Sequence, residues 1–189
     1  MLRFARRLAL AILILSASCA EPPSKEMNQA QGAIDAARVA AADRFAAAEF
    51  TAAVDALVRS EQAAGAGDYR AALSLAIDSR ERAQNATRMA AEARANARGE
   101  AERAISEAAT LVQRARTRLK DPAIVTLNLR EQRQTIDTAE KVLQEARTAL
   151  KTEDYPAVKG ALGGITAELQ AALSAIDDAA APARTRRKR

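Results

Sequence analysis

Alanine is the residue that most limits what this chain can become. Roughly a quarter of the 189 residues are alanine, far above ordinary usage. Alanine is the best helix former, but each one buries little area, and buried apolar area is what stabilises a core. Aromatics are 3% of the chain, with no Trp and no His. A thick globular core is therefore excluded. The fold class expected is all-α: helical hairpins or an elongated bundle with one long Ala-rich helix, a coiled-coil segment being one form it can take.

The spacing of apolar residues bears this out along the chain. Met27, Ala30, Ala33, Ile34, Ala37 and Ala41 mark one face of a first helix, with a corner at Asp43-Arg44-Phe45. Phe50, Val54, Leu57 and Val58 mark a second helix, which ends at Gly65-Ala66-Gly67, where glycine supplies a left-handed stop. Asp68 is placed to cap a third helix, expected from about Tyr69 to Arg118. That helix is apolar at its start (Ala72, Leu73, Ala76, Ile77) and at its end (Ile105, Ala108, Leu111, Val112, Leu119). Between Arg80 and Arg103 its only large apolar residue is Met89. This middle reads first as a solvated connecting rod, and otherwise as an Ala-lined seam where two helices approach closely.

Asp121-Pro122 breaks the helix, because the residue before proline disfavours helical geometry. A fourth helix is expected over 126–152, with Leu129, Ile136, Ala139, Leu143, Ala146 and Leu150 on one face. After the turn at Glu153-Asp154-Tyr155-Pro156, a last helix carries Val158, Ala161, Leu162, Ile165, Leu169, Leu173 and Ile176. Gly160, Gly163 and Gly164 inside it each weaken it by about 1 kcal/mol; they either admit a neighbouring backbone or mark a flexible start. An internal repeat is visible: GDYRAAL (Gly67–Leu73) and EDYPAVK (Glu153–Lys159) occupy the same place between amphipathic helices. Aligning Tyr69 with Tyr155 also aligns Phe50 with Ile136, Leu57 with Leu143 and Ala64 with Leu150. Two helical hairpins follow, each closed by an Asp-Tyr turn (Asp68, Tyr69; Asp154, Tyr155), with the Tyr ring packed near Leu73 or Val158.

The net charge of +5 invites a nucleic-acid reading, which the placement of the charge removes. Arg3, Arg6 and Arg7 lie at one end, and Arg184, Arg186, Arg187, Lys188 and Arg189 at the other. The 21 remaining of the 29 basic residues face 24 acidic ones, so the body is slightly acidic. No aromatic residues are interleaved with the basic tail to stack bases. The tail is instead a candidate for contact with an anionic lipid or envelope polymer, or else a solubilising terminus.

Chemistry is hard to place on this sequence. Without His the usual general base, metal ligand and pH switch are missing. The glycines at 160–164 lack the Lys-Ser/Thr of a phosphate loop. Carboxylates interleave with Arg at helical spacing, as in Arg88 with Glu92, a pattern of solvated faces with pairs of about 0.2–0.5 kcal/mol each. Asp177-Asp178 has no oxygen cage around it. The expectation is a non-catalytic protein with no metal and no cofactor.

The lone cysteine has a telling position. MLRFARR is a basic start, Leu8–Leu15 is an apolar run too short to span a bilayer, and Ser16, Ala17 and Ser18 are small. Cys19 follows directly, and this arrangement resembles a bacterial lipobox, with Ser16 standing where Leu is usual. The resemblance implies removal of residues 1–18 and lipidation of Cys19; an ordinary signal peptide with a soluble periplasmic product is the alternative. Ala20 in place of Asp implies the outer membrane, facing the periplasm.

Glu26–Arg98 resembles a family of Ala-rich bacterial envelope lipoproteins, domain of unknown function 4398. The likeness rests on the lipobox Cys, the Pro-containing spacer, the entry Phe45-Ala46-Ala47-Ala48-Glu49-Phe50, and Gly67-Asp68-Tyr69 with Ala72. GDYRAAL also resembles a tetratricopeptide hairpin corner. The family implies an exported, helical, membrane-tethered protein and no chemistry. The organisation expected is a signal peptide (1–18), a lipidated Cys and tether (19–25), an Ala-rich helical region (26–120), a second hairpin (126–180) and a disordered basic tail (181–189). The partners expected are the membrane through its lipid anchor, a protein or a second copy of the chain, and an anionic envelope polymer.

Overall fold

The computed structural model describes residues 21–187 apart from 123 and 126, with side chains through 181. Among the described residues there are six helices and no strand. They are α1 (Ser24–Val39), α2 (Ala42–Phe45), α3 (Ala47–Gly65), α4 (Tyr69–Leu119), α5 (Arg130–Lys151) and α6 (Tyr155–Arg187). The chain forms two compact units, one through Ala93 and one from Arg94. The boundary therefore falls inside α4, within the stretch 26–120 that the sequence suggested as one region. The physical reason is that each half of α4 supplies a buried face to a different set of helices.

In the first unit α1 ends at Val39, and Ala41, just before α2, takes a left-handed φ of 58°. The short α2 stands where a corner was expected. The buried cluster joins Ala30, Ile34 and Ala37 of α1, Ala42 and Ala46, Ala53 and Leu57 of α3, and Ala83, Ala86 and Ala90 of α4. Phe45 and Phe50 pack on it partly buried. Guanidinium carbons cover both rings, Arg44 over Phe45 at 5.2 Å and Arg38 over Phe50 at 5.7 Å, and Glu49 lies 3.6 Å from Arg82. The aromatic entry thus fixes where the chain turns from α2 into α3.

The middle of α4 is chiefly a seam and not a rod. Ala83, Ala86 and Ala90 are fully buried. Their spacing of three and four lines one face, and methyl-sized side chains let another helix come close. Only the short stretch 91–100 is largely exposed. On the α4 side the buried row is made of small residues. Val58 and Leu73, both expected on apolar faces, are 44% and 39% exposed, while their neighbours Leu57 and Ala72 are buried. One residue is 100° of helix, and the buried row runs through Ala72, Ala76, Ser79 and Ala83.

The second unit buries Ala101, Ala108, Val112, Ala115 and Leu119 of α4 against α5 (Ile136, Ala139, Leu143, Ala146) and α6. The buried row of α6 is Val158, Leu162, Ile165, Leu169, Leu173 and Ile176. α5 begins at Arg130, later than the expected 126, because the preceding loop spends Ile124 and Leu129 on the core. α6 continues through Arg187, past the expected onset of a disordered tail; the alanines at 179–181 favour helix. Around Gly160, Gly163 and Gly164 nothing lies within 4 Å of where a Cβ would stand. No neighbouring backbone uses the space they leave, and α6 runs through them unbroken.

Candidate functional site

Of the residues singled out in the sequence, Cys19 and the leader lie outside the described residues, as do Lys188 and Arg189. Arg184, Arg186 and Arg187 fall on the last turns of α6. The four turn residues are brought into two equivalent corners.

At the first corner Gly67 takes φ +80°. The Gly67 N–H donates to Ala64 O at 3.0 Å and the Asp68 N–H to Ala63 O at 2.9 Å, a Schellman closure of α3. The Asp68 carboxylate then accepts from the Ala71 N–H at 3.0 Å, opening α4 as an N-cap does. At the second corner the Glu153 N–H donates to Leu150 O at 3.2 Å and the Asp154 N–H to Ala149 O at 2.9 Å. Asp154 Oδ1 accepts from the Ala157 N–H at 3.2 Å. The shift that takes Tyr69 to Tyr155 therefore superposes each of these bonds on its counterpart.

The corners differ in their fittings. Tyr155 and Val158 are both buried, whereas Tyr69 is half-buried and Leu73 is partly exposed, so the second corner takes more of the apolar packing expected of both. Glu153 is a non-glycine residue at φ 59°, a conformation that costs roughly 1–2 kcal/mol. Its carboxylate pairs with Arg94. The Arg94 guanidinium is pushed above its usual range by hydrogen bonds first to Glu153 and then to Tyr155. Lys159 and Glu100 stand 3.8 Å apart on the same side. These groups are well exposed, so the pairs orient the corner more than they stabilise it.

Two residues escaped the sequence reading. Ser60 and Ser79 are fully buried. Ser60 Oγ donates to Ala72 O at 2.7 Å and Ser79 Oγ to Ala53 O at 2.8 Å. Each bond crosses from one helix of the α3–α4 hairpin to the other, which is feasible only where the helices nearly touch. The signal available was a serine falling on the alanine row at a spacing of three or four.

Among the described residues no group of three His, Cys, Asp or Glu is placed to hold a metal ion. No helix among them is long and apolar enough to cross a membrane. What the arrangement offers is helical faces and charged corners set on two hairpins. Comparison with family models, curated proteins and solved structures yields no match.

Proposed function

We propose that the chain is a non-catalytic lipoprotein of a bacterial cell envelope, fastened through Cys19, whose helical hairpins present surfaces to a protein partner or to a second copy. The observation that carries this reading is Cys19 itself, directly after a basic, apolar and then small-residue leader. The first helix among the described residues supports it by starting at Ser24, just past the Pro22-Pro23 spacer. A tether of so few residues spans at most roughly 15–20 Å when extended, which would hold α1 near a leaflet. The residues named for the lipoprotein family above add to the same reading, as does Ala20 for the outer membrane facing the periplasm.

The test is the intact mass of protein extracted from membranes. Loss of residues 1–18 with acyl mass on Cys19 is the expected result, and Cys19→Ser should release the chain from the membrane fraction. An unmodified thiol on a processed chain, or a Cys19→Ser chain still trimmed and retained in the same way, overturns the proposal.

A further inference from the structure

We infer that the α3–α4 corner of the first unit is seated in the lipid leaflet through Val58, Leu73 and Tyr69. The inference rests on the anchor at Cys19 and says which part of the fold that anchor holds down.

Contacts across the first unit fix which residues stand level with one another. Glu49 meets Arg82, the Ser79 hydroxyl donates to Ala53 O, and the Ser60 hydroxyl donates to Ala72 O. α3 and α4 therefore run antiparallel, with Val58 level with Ser74. Arg80 donates to Gln29 Oε1 at 2.9 Å, while Arg38, at the other end of α1, covers Phe50 near the start of α3. α1 thus runs beside α4 in the same direction, and Pro23 stands level with Leu73 and Ser74. Past that level α3 and α4 continue without α1 for about two turns, to the corner at Gly67.

The side of the hairpin that α1 covers stays apolar beyond the start of α1. On α4, Tyr69, Leu73, Ala76 and Arg80 follow at spacings of three and four, and Arg80 is the residue that meets Gln29. On α3 the row through Phe50 and Val54, which pack on the α1 cluster, reaches Val58 at the same spacing. Val58 and Leu73, both exposed, are therefore the two lips of one groove, at the level where α1 begins. Half-buried Tyr69 lies one turn nearer the corner. The exposed charges nearby, Arg59, Arg70, Glu61 and Asp68, offset one another, so nothing at this end selects an anionic lipid.

The occupant follows from where the chain leaves. Pro23 is buried, so the tether is held to the bundle up to that residue. Cys19 is four residues further back, at most roughly 14 Å away when extended. The corner projects roughly 10 Å past Pro23 from the end of the bundle at which α1 starts. A leaflet that holds Cys19 meets the corner within a few ångströms. There it covers Val58 and Leu73 without a further partner, and tyrosine suits the boundary between water and hydrocarbon. The contact is apolar, so salt and headgroup charge should not change it.

The chain has no tryptophan. Leu73→Trp gives a single reporter in the groove, and Val39→Trp gives one at the far end of α1, where the native aliphatic is more exposed still. Each full chain, its acyl mass verified, is placed in phosphatidylcholine vesicles with brominated acyl chains. The Leu73→Trp emission is expected to move to shorter wavelength and be quenched, and the Val39→Trp emission to do neither. Phosphatidylglycerol or high salt should leave both as they were, and adding Val58→Glu should reduce the quenching. Val58→Trp, on the other lip, repeats the measurement should Leu73→Trp fold poorly. A chain without acyl mass overturns the anchor and this inference with it. An acylated chain whose groove indole is no more quenched than that of Val39→Trp overturns this inference alone. So does a Cys19→Ser chain whose groove indole is equally shifted without vesicles, because another part of the chain or a second copy then covers the groove.

Discussion

The α3–α4 and α5–α6 hairpins turn the same corner and then fill their seams with different residues. Under the shift that relates the corners, Ala72, Ala76, Ala83 and Ala90 correspond to Val158, Leu162, Leu169 and Ile176, and all eight are buried. Ser79 corresponds to Ile165, and Ser60 to Ala146. The positions that face inward are thus the same in both, and the size of what occupies them is not. Helical period decides which residues face the partner helix, while side-chain volume decides how near that partner lies. In the first hairpin the backbones are close enough for serine hydroxyls to reach across to carbonyls. In the second, branched aliphatic side chains occupy most of the equivalent positions.

Exchanging residues between equivalent positions is the strongest way to break this comparison. Leu169→Ala should cost about 2–5 kcal/mol, because the larger seam cannot collapse onto a methyl. Ala83→Leu should cost about 1–3 kcal/mol for the opposite reason, since a close seam has no room for three more carbons. Urea midpoints, with hydrogen exchange to show which unit loosens, read both. If Ala83→Leu leaves the first unit as protected as before, the alanine seam is not close-packed.

A smaller effect sharpens the comparison. Ser79→Ala removes the bond to Ala53 O and leaves Ser60 as the seam's one buried hydroxyl among the described residues. A loss of about 0.5–1.5 kcal/mol is expected, with slower-exchanging amides around Ala53 becoming faster. No change would mean that the hydroxyl merely fills space.

The corners give effects of similar size or smaller. Gly67→Ala should cost roughly 1–2 kcal/mol through its left-handed φ. Glu153→Gly relieves the same conformation but frees the unfolded chain and forfeits Arg94, so the net change should stay within about 0.5 kcal/mol. A Glu153→Gly chain well below wild type in melting temperature would show that the Arg94 pair matters more than its exposure suggests.

Where a large apolar residue recurs at helical spacing, the sequence was a reliable guide. Ile136, Leu143, Leu162 and Leu169 all lie where periodicity placed them. The long helix, read to Arg118, ends at Leu119. The alanine seam was harder, because a methyl looks the same in a buried row as on a surface: Ala83 is fully buried and Ala91 exposed, with nothing in either neighbourhood to tell them apart. On α4 the buried row takes Ala72 and leaves Leu73 outside, while on α3 it takes Leu57 and turns Val58 outward, one residue being enough to rotate a side chain off the seam. Glycine announced the first corner, but the second reaches the same backbone with Glu153 and gave no such sign.

The alanine row has one more consequence, in how the first unit responds to temperature. Alanine loses no rotamer freedom when it is covered, so closing that seam carries little side-chain ordering cost. It also hides little hydrocarbon, and the heat-capacity change on unfolding follows the hydrocarbon exposed. The first unit is therefore expected to have a shallow, broad stability curve, while the leucine-filled second unit has a steeper one that favours a narrower thermal range.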